Sequence, residues 1–108
     1  MFKIKSFIKR YLRRKEISAW LSFIGVANYT LNEDLSVNVV GDVMINSISM
    51  DLHELPIKFK IVSGNFNCGE NGLTTLIGCP ETIGGYFDCH GNNIVSLVGC
   101  PISVGKYF

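Results

Sequence analysis

Six side chains have types suited to chemistry: Cys68, Cys79, Cys89 and Cys100, with His53 and His90. Four cysteines invite a zinc reading, because thiolates form tetrahedral sites, usually from pairs about two to four residues apart. Here successive cysteines are 11, 10 and 11 positions apart, which speaks against it. Disulfides need an oxidising compartment, and no secretory signal is read at the N-terminus, where lysines interrupt every apolar run. Reduced cysteines pack as small hydrophobes. Cys89-His90 has the composition of a thiol–imidazole pair, but neighbours in a strand point to opposite faces and cannot activate one another. No Ser/His/Asp order, phosphate loop or paired carboxylates stand out. The expectation is a non-enzymatic protein with no metal or cofactor.

The stretch that positions these residues is a 21-residue repeat. Val62, Phe66, Cys68, Asn71, Leu73, Leu76, Gly78, Cys79 and Pro80 recur without a gap as Ile83, Phe87, Cys89, Asn92, Ile94, Leu97, Gly99, Cys100 and Pro101. A third copy begins at Val104 and reaches Phe108. Such a period describes stacked coils, each too small to fold alone. Phe66 and Cys68 have period 2 and point inward from one strand, with Asn67 outward. Asn71 stands where the chain turns and leaves backbone groups to be satisfied, so Asn71 stacked on Asn92 predicts a hydrogen-bonded ladder. Pro80 and Pro101 predict irregular or 3₁₀ returns instead of α-helices.

The unit Phe66-x-Cys68-x-x-Asn71-x-Leu73-x-x-Leu76 resembles the leucine-rich repeat core, with Phe and Cys at the two strand positions. The resemblance implies a short right-handed α+β solenoid with parallel strands, which commonly binds proteins on its concave face. Coils are expected at 41–61, 62–82 and 83–103, with a partial coil at 104–108. The coil 41–61 is divergent: Ile45, Ser47, Leu52 and Leu55 stand one repeat period before Phe66, Cys68, Leu73 and Leu76, but Met50 replaces Asn. Residues 1–40 read as a basic helical segment, a second helix and a β-hairpin, Tyr29–Leu31 with Leu35–Val39, capping the solenoid 41–108 in one domain.

Charge is segregated. Lys3, Lys5, Lys9, Arg10, Arg13, Arg14 and Lys15 give residues 1–15 a charge of +7 without an acid, whereas 16–108 carry three lysines and nine acids, hence −6. Ile4, Ile8 and Leu12, with Phe7 and Tyr11, form one helical stripe; Ile17, Trp20, Leu21 and Ile24 form another on nearly the opposite side. One straight helix would bury one stripe and expose the other. The pattern therefore predicts a break near Lys15, helices at about 3–14 and 16–24, and a stop at Gly25. No stretch is long enough to span a bilayer, and a cytoplasmic protein is the simplest reading.

Three surfaces become candidates. Met44, Asn46, Asn65, Asn67, Tyr86 and Asp88 point outward from consecutive strands, with His90 at the border of the grid, and form a protein-binding concave face. The basic N-terminal patch, Lys3 to Lys15, either packs on the solenoid, burying Ile4, Ile8, Tyr11 and Leu12, or binds nucleic acid, an acidic protein or an anionic membrane. Lys106, Tyr107 and Phe108 form an open sheet edge for a target, a larger assembly or a second copy, making a homo-oligomer.

The order Trp20-Leu21 in a helix, Asn28-Tyr29-Thr30-Leu31, a hairpin, Gly41-Asp42-Val43, Leu55-Pro56-x-x-Phe59 and Gly-Cys-Pro repeats is similar to small repeat proteins of tailed phages and prophages. That resemblance implies a bacterial-host cytosol and an accessory protein that binds and inhibits a host protein, such as a defence nuclease complex.

Overall fold

The computed structural model describes residues 2–48 and 51–107, with side chains from residue 9 onward. Met50 and Phe108, and the side chains of Lys3, Ile4, Lys5, Phe7 and Ile8, lie outside this range. One helix, α1 (Phe2–Phe23), leads into an antiparallel hairpin of β1 (Tyr29–Leu31) and β2 (Ser36–Val39). The chain then winds through β3 (Val43–Met44), β4 (Lys58–Val62), β5 (Phe66–Asn67), β6 (Thr82–Ile83), β7 (Phe87–Asp88) and β8 (Ser103–Val104). Beyond the hairpin every strand pair is parallel, in two sheets ordered β1-β2-β4-β6-β8 and β3-β5-β7. The result is a β-solenoid of about three turns.

The repeat is read directly in the pairing. Phe66 lies opposite Phe87, Val62 opposite Ile83, and Ile83 opposite Val104, each one repeat period apart. The first coil departs from that spacing. Val43 lies opposite Phe66 and Met44 opposite Asn67, and Asp42, next to them, bonds to Asn65 across a separation of 23 residues. The ordinary repeat spacing resumes where Thr74 N–H donates to His53 O, so the extra length is taken up between Ile45 and His53. Val43, fully buried, stands in the phenylalanine position, and Ile45 in that of Cys68.

Each coil carries two strands, not one with an irregular return. β4, β6 and β8 extend the sheet that begins with the hairpin, and the corner 63–65 separates β4 from β5. The described part of the partial coil at 104–108 follows the same division. Ser103–Val104 belongs to the five-stranded sheet, and Tyr107 O accepts the N–H of Phe87 beside β7.

The core is one cluster running from α1 through the coils, including Ile17, Leu21, Val37, Phe59, Phe66 and Leu76. Phe59 meets Phe66 edge-on at 5.1 Å, and Phe66 stacks on Phe87 at 6.1 Å. These are favoured aromatic geometries, each adding about 0.5–1.5 kcal/mol beyond area burial. Asn71 and Asn92 form the expected ladder: Asn92 Oδ1 accepts the N–H groups of Asn71 (2.9 Å) and Leu73 (3.0 Å), and Asn71 Oδ1 accepts that of Ile48 (2.9 Å).

α1 does not break at Lys15. It is continuous, burying Ile17 and Leu21 while Tyr11 and Leu12 stay about half exposed. The reason is tertiary. Arg10, Arg13 and Arg14 donate to the carbonyls of Glu33, Pro56, Leu31 and Asn32, tying the basic half of the helix to the cap and first coil. The stop is as expected. Gly25 adopts φ +80°, Gly25 N–H donates to Ser22 O, and Val26 N–H donates to Leu21 O, a Schellman ending.

Candidate binding site on the three-stranded sheet

The outer face of β3-β5-β7 is a grid set by backbone register. One column is Met44, Asn67 and Asp88, aligned by the strand pairs. Because the first coil is longer than the others, Asn46 belongs to the column of Gly69 and His90, displaced from where a uniform period puts it. Asp42 heads the column of Asn65, Tyr86 and Tyr107. That column is held by side chain to backbone bonds. Asp42 Oδ1 accepts the N–H of Asn65 (2.7 Å), and Asn65 Oδ1 accepts the N–H of Tyr86 (2.9 Å). Asn65 is thus a half-buried corner residue whose amide oxygen is occupied.

Tyr86 and Tyr107 extend this column as parallel rings, 5.5 Å apart with 6° between planes. Tyr107 is 68% exposed. The rings border a cleft of about 540 Å³ lined by Tyr86, Phe87, Asp88, Cys89, His90 and Tyr107. Its floor is rigid, since Phe87 N–H and Lys106 N–H are both held in the ladder by Tyr107 O and Gly85 O.

Beside the rings runs a chain of polar groups. Asp88 Oδ1 accepts the backbone N–H of His90 (3.0 Å) and lies 2.7 Å from His90 Nδ1. His90 Nε2 is 3.3 Å from Glu70 Oε1, and Ser47 Oγ donates to Glu70 Oε2 at 2.7 Å. Gly69 leaves room for the imidazole: a Cβ there would lie 2.8 Å from the His90 ring. Asp88, and then Glu70, raise the His90 pKa above its ordinary 6.5. Ser47's hydroxyl, followed by His90, holds Glu70 below its usual range, and the backbone N–H of His90 does the same for Asp88.

A carboxylate separates the Ser47 hydroxyl from the His90 imidazole, so those two groups are not in direct contact. Cys89 is half-buried behind His90. Burial raises its pKa, while a hydrogen bond with Cys68 and then burial raise that of Cys79. The four thiols are unbridged. The nucleophilic and metal-binding form is the thiolate, which these surroundings disfavour at Cys79 and Cys89. No group of three or more His, Cys, Asp and Glu that could hold a metal ion occurs among the described residues.

The sign of the pH dependence follows. Raised His90 contributes stability that is fully present below pH 6.5 and is lost as pH rises through its elevated pKa. Lowered Asp88 and Glu70 contribute above 3.8 and 4.5 and lose it as pH falls through their depressed values. Replacing His90→Gln is expected to lower the melting temperature near about pH 5–6, with the deficit shrinking towards about pH 8. Melts across that range check this; a deficit independent of pH would show that the contacts are not ionic.

The other sequence candidates fall on separate surfaces. Arg10, Arg13 and Arg14 are engaged with carbonyls, while Lys9 and Lys15 remain on the exposed side of α1. Lys106 and Tyr107 are exposed at the last coil; Lys3, Lys5 and Phe108 carry no described side chain. The sequence reading missed Ser47 and Glu70 as members of the site. Their signal lay in the register: Glu70 follows Gly69, the repeat partner of His90. No helix among the described residues is long and apolar enough to cross a membrane. No protein-family model, curated protein or solved structure matches the chain.

Proposed function

We propose that this chain is a non-enzymatic protein-binding module, a leucine-rich-repeat-like solenoid whose partner sits on the outer face of β3-β5-β7. The observation that carries the reading is the Tyr86–Tyr107 ring pair over a cleft floored by Phe87 and walled by Asp88 and His90. Exposed tyrosines on a rigid backbone suit an interface, because they present large area with little conformational freedom to lose. Met44, Asn67 and Asn46 extend the contact surface towards the first coil. The resemblance to phage and prophage repeat proteins supports one version, in which the partner is a host protein, such as a defence nuclease complex, and binding inhibits it.

The test is an affinity pulldown from bacterial lysate with nuclease present, repeated with Tyr107→Ala and with Tyr86→Ala. One stoichiometric protein is expected, with affinity falling about tenfold or more for Tyr107→Ala, as for a central aromatic anchor. Retention undiminished by both variants would remove this face from the interface.

A second reading is favoured by the uncovered side of the last coil. Leu97 is 71% exposed, whereas its repeat partner Leu76 is 1% exposed; Val95, Val98 and Ile102 are exposed beside it. Exposed apolar side chains grouped in one stretch suit an interaction site. In this reading that side meets a second copy of the chain or a larger assembly, and sedimentation over a wide concentration range measures it.

A further inference from the structure

In residues 9–15, α1 turns its arginines towards the protein and its apolar side chains away from it. Arg10, Arg13 and Arg14 donate to carbonyls of the hairpin and of Pro56. Tyr11 and Leu12 are 53% and 52% exposed. Further along the helix the inner side becomes apolar, with Ile17 and Leu21 buried, while Phe23 on the other side is 74% exposed. At 100° per residue, Leu12, Lys15 and Phe23 fall on the side opposite Ile17 and Leu21, with Tyr11 at its border, and Lys9 and Lys15 lie to either side of Leu12. Lys15 places its ammonium 5.5 Å from the centroid of the Tyr11 ring. In sequence, the i, i+4 spacing of Ile4 and Ile8 continues the stripe of Leu12.

A merely solvated helix would carry the reverse pattern, with its apolar stripe inward and its cations outward. This one has two apolar sides. The inner side, Ile17, Leu21 and their neighbours, is buried in the core; the outer side is unpartnered and flanked by lysines.

We propose that the outer face of α1 docks on an anionic phospholipid surface. The helix lies in the plane of the interface, with Tyr11, Leu12 and Phe23 towards the acyl boundary and Lys9 and Lys15 reaching back to the headgroups. Charge complementarity selects this occupant: Lys9 and Lys15 flank the exposed apolar side chains, Lys3 and Lys5 precede them in a segment without an acid, and Glu16, the first acid, is paired with Arg13 at 3.3 Å. A second copy is disfavoured because two such segments would face one another. Nucleic acid would match the lysines yet leave Tyr11, Leu12 and Phe23 in water. The surface is independent of the β3-β5-β7 face, so the two proposals stand or fall separately.

The experiment is vesicle co-sedimentation of the full chain, using phosphatidylcholine alone and phosphatidylcholine mixed with an equal part of phosphatidylglycerol. Binding to the mixed vesicles is expected to be about tenfold or more tighter than to the neutral ones. Tyr11→Ser with Leu12→Ser is expected to weaken mixed-vesicle binding about tenfold or more with the melting temperature unchanged, since neither side chain reaches the core. Lys9→Gln with Lys15→Gln is expected to reduce the preference for the anionic vesicles. Undiminished binding by the serine variant would overturn the proposal, because the attraction would then be that of any polycation. Failure of the unaltered chain to bind either vesicle would also overturn it.

Discussion

Asn71→Ala is expected to lower the free energy of unfolding by about 3 kcal/mol, from about 1–3 kcal/mol per uncompensated buried group. Asn71 is fully buried and serves as a polar staple between coils. Its Nδ2 donates to Ile45 O (2.7 Å), Cys68 O (3.1 Å) and Gly69 O (3.1 Å), while Oδ1 accepts the N–H of Ile48. Alanine removes all of these at once, in a place where water does not readily substitute. Asn92 makes similar bonds, to Cys68 O (3.0 Å) and Cys89 O (2.9 Å), but is only half-buried. Asn92→Ala is therefore expected to cost less, about 1–2 kcal/mol, because solvent reaches the orphaned groups. Asn71→Asp separates polarity from geometry. It preserves an acceptor for Ile48 N–H but turns a carboxylate oxygen towards three carbonyls, so it should be at least as harmful as alanine. Urea melts of the three variants measure the order. An Asn71→Ala variant within about 0.5 kcal/mol of the unaltered chain, the range of unremarkable surface changes, would show that the ladder fills space without bearing polarity.

The periodic part of this fold was legible because stacked coils repeat one environment. Phe66 and Phe87, or Val62 and Ile83, meet equivalent neighbours, and a fixed spacing in sequence became a one-to-one strand register. The first coil was harder to read. Its alignment to the repeat rested on Ile45 and Ser47, yet Val43 fills the strand position usually held by phenylalanine, and no asparagine stands in the Asn71 position to anchor the count. The continuity of α1 was not legible for a different reason. Two opposed apolar stripes define two possible buried sides, and the choice is made by carbonyls at residues 31, 32, 33 and 56, which come near the helix only after the hairpin and first coil are in place. The second sheet was hidden by β4, whose extra residue shifts the pairing between Val37–Phe59 and Asn38–Ile61 and interrupts its alternation. In the candidate site, Tyr86, Asp88 and His90 followed from strand alternation. Glu70 and Ser47 are 23 residues apart and required the true register of the first coil.

Leu76 and Leu97 occupy one repeat position but are 1% and 71% exposed, so the same substitution should have opposite consequences at the two sites. Leu76→Ala is expected to destabilise by about 3 kcal/mol, within the roughly 2–5 kcal/mol range for removing a buried leucine and leaving a cavity. Leu97→Ala is expected to stay within about 0.5 kcal/mol in dilute solution, since the methyl groups it deletes face solvent. The comparison also bears on self-association. If the uncovered side of coil 83–103 packs against a second copy, burial of Leu97 is linked to protein concentration. Its alanine variant should then become progressively more damaging as concentration rises, while the Leu76→Ala penalty stays constant. A concentration-independent null effect at Leu97 would discard the second copy and leave the apolar surface, Val95, Leu97, Val98 and Ile102, to a different partner. A penalty at Leu97 as large as that at Leu76 at every concentration would be the sharper surprise. It would mean that Leu97 is packed against other parts of the monomer in solution.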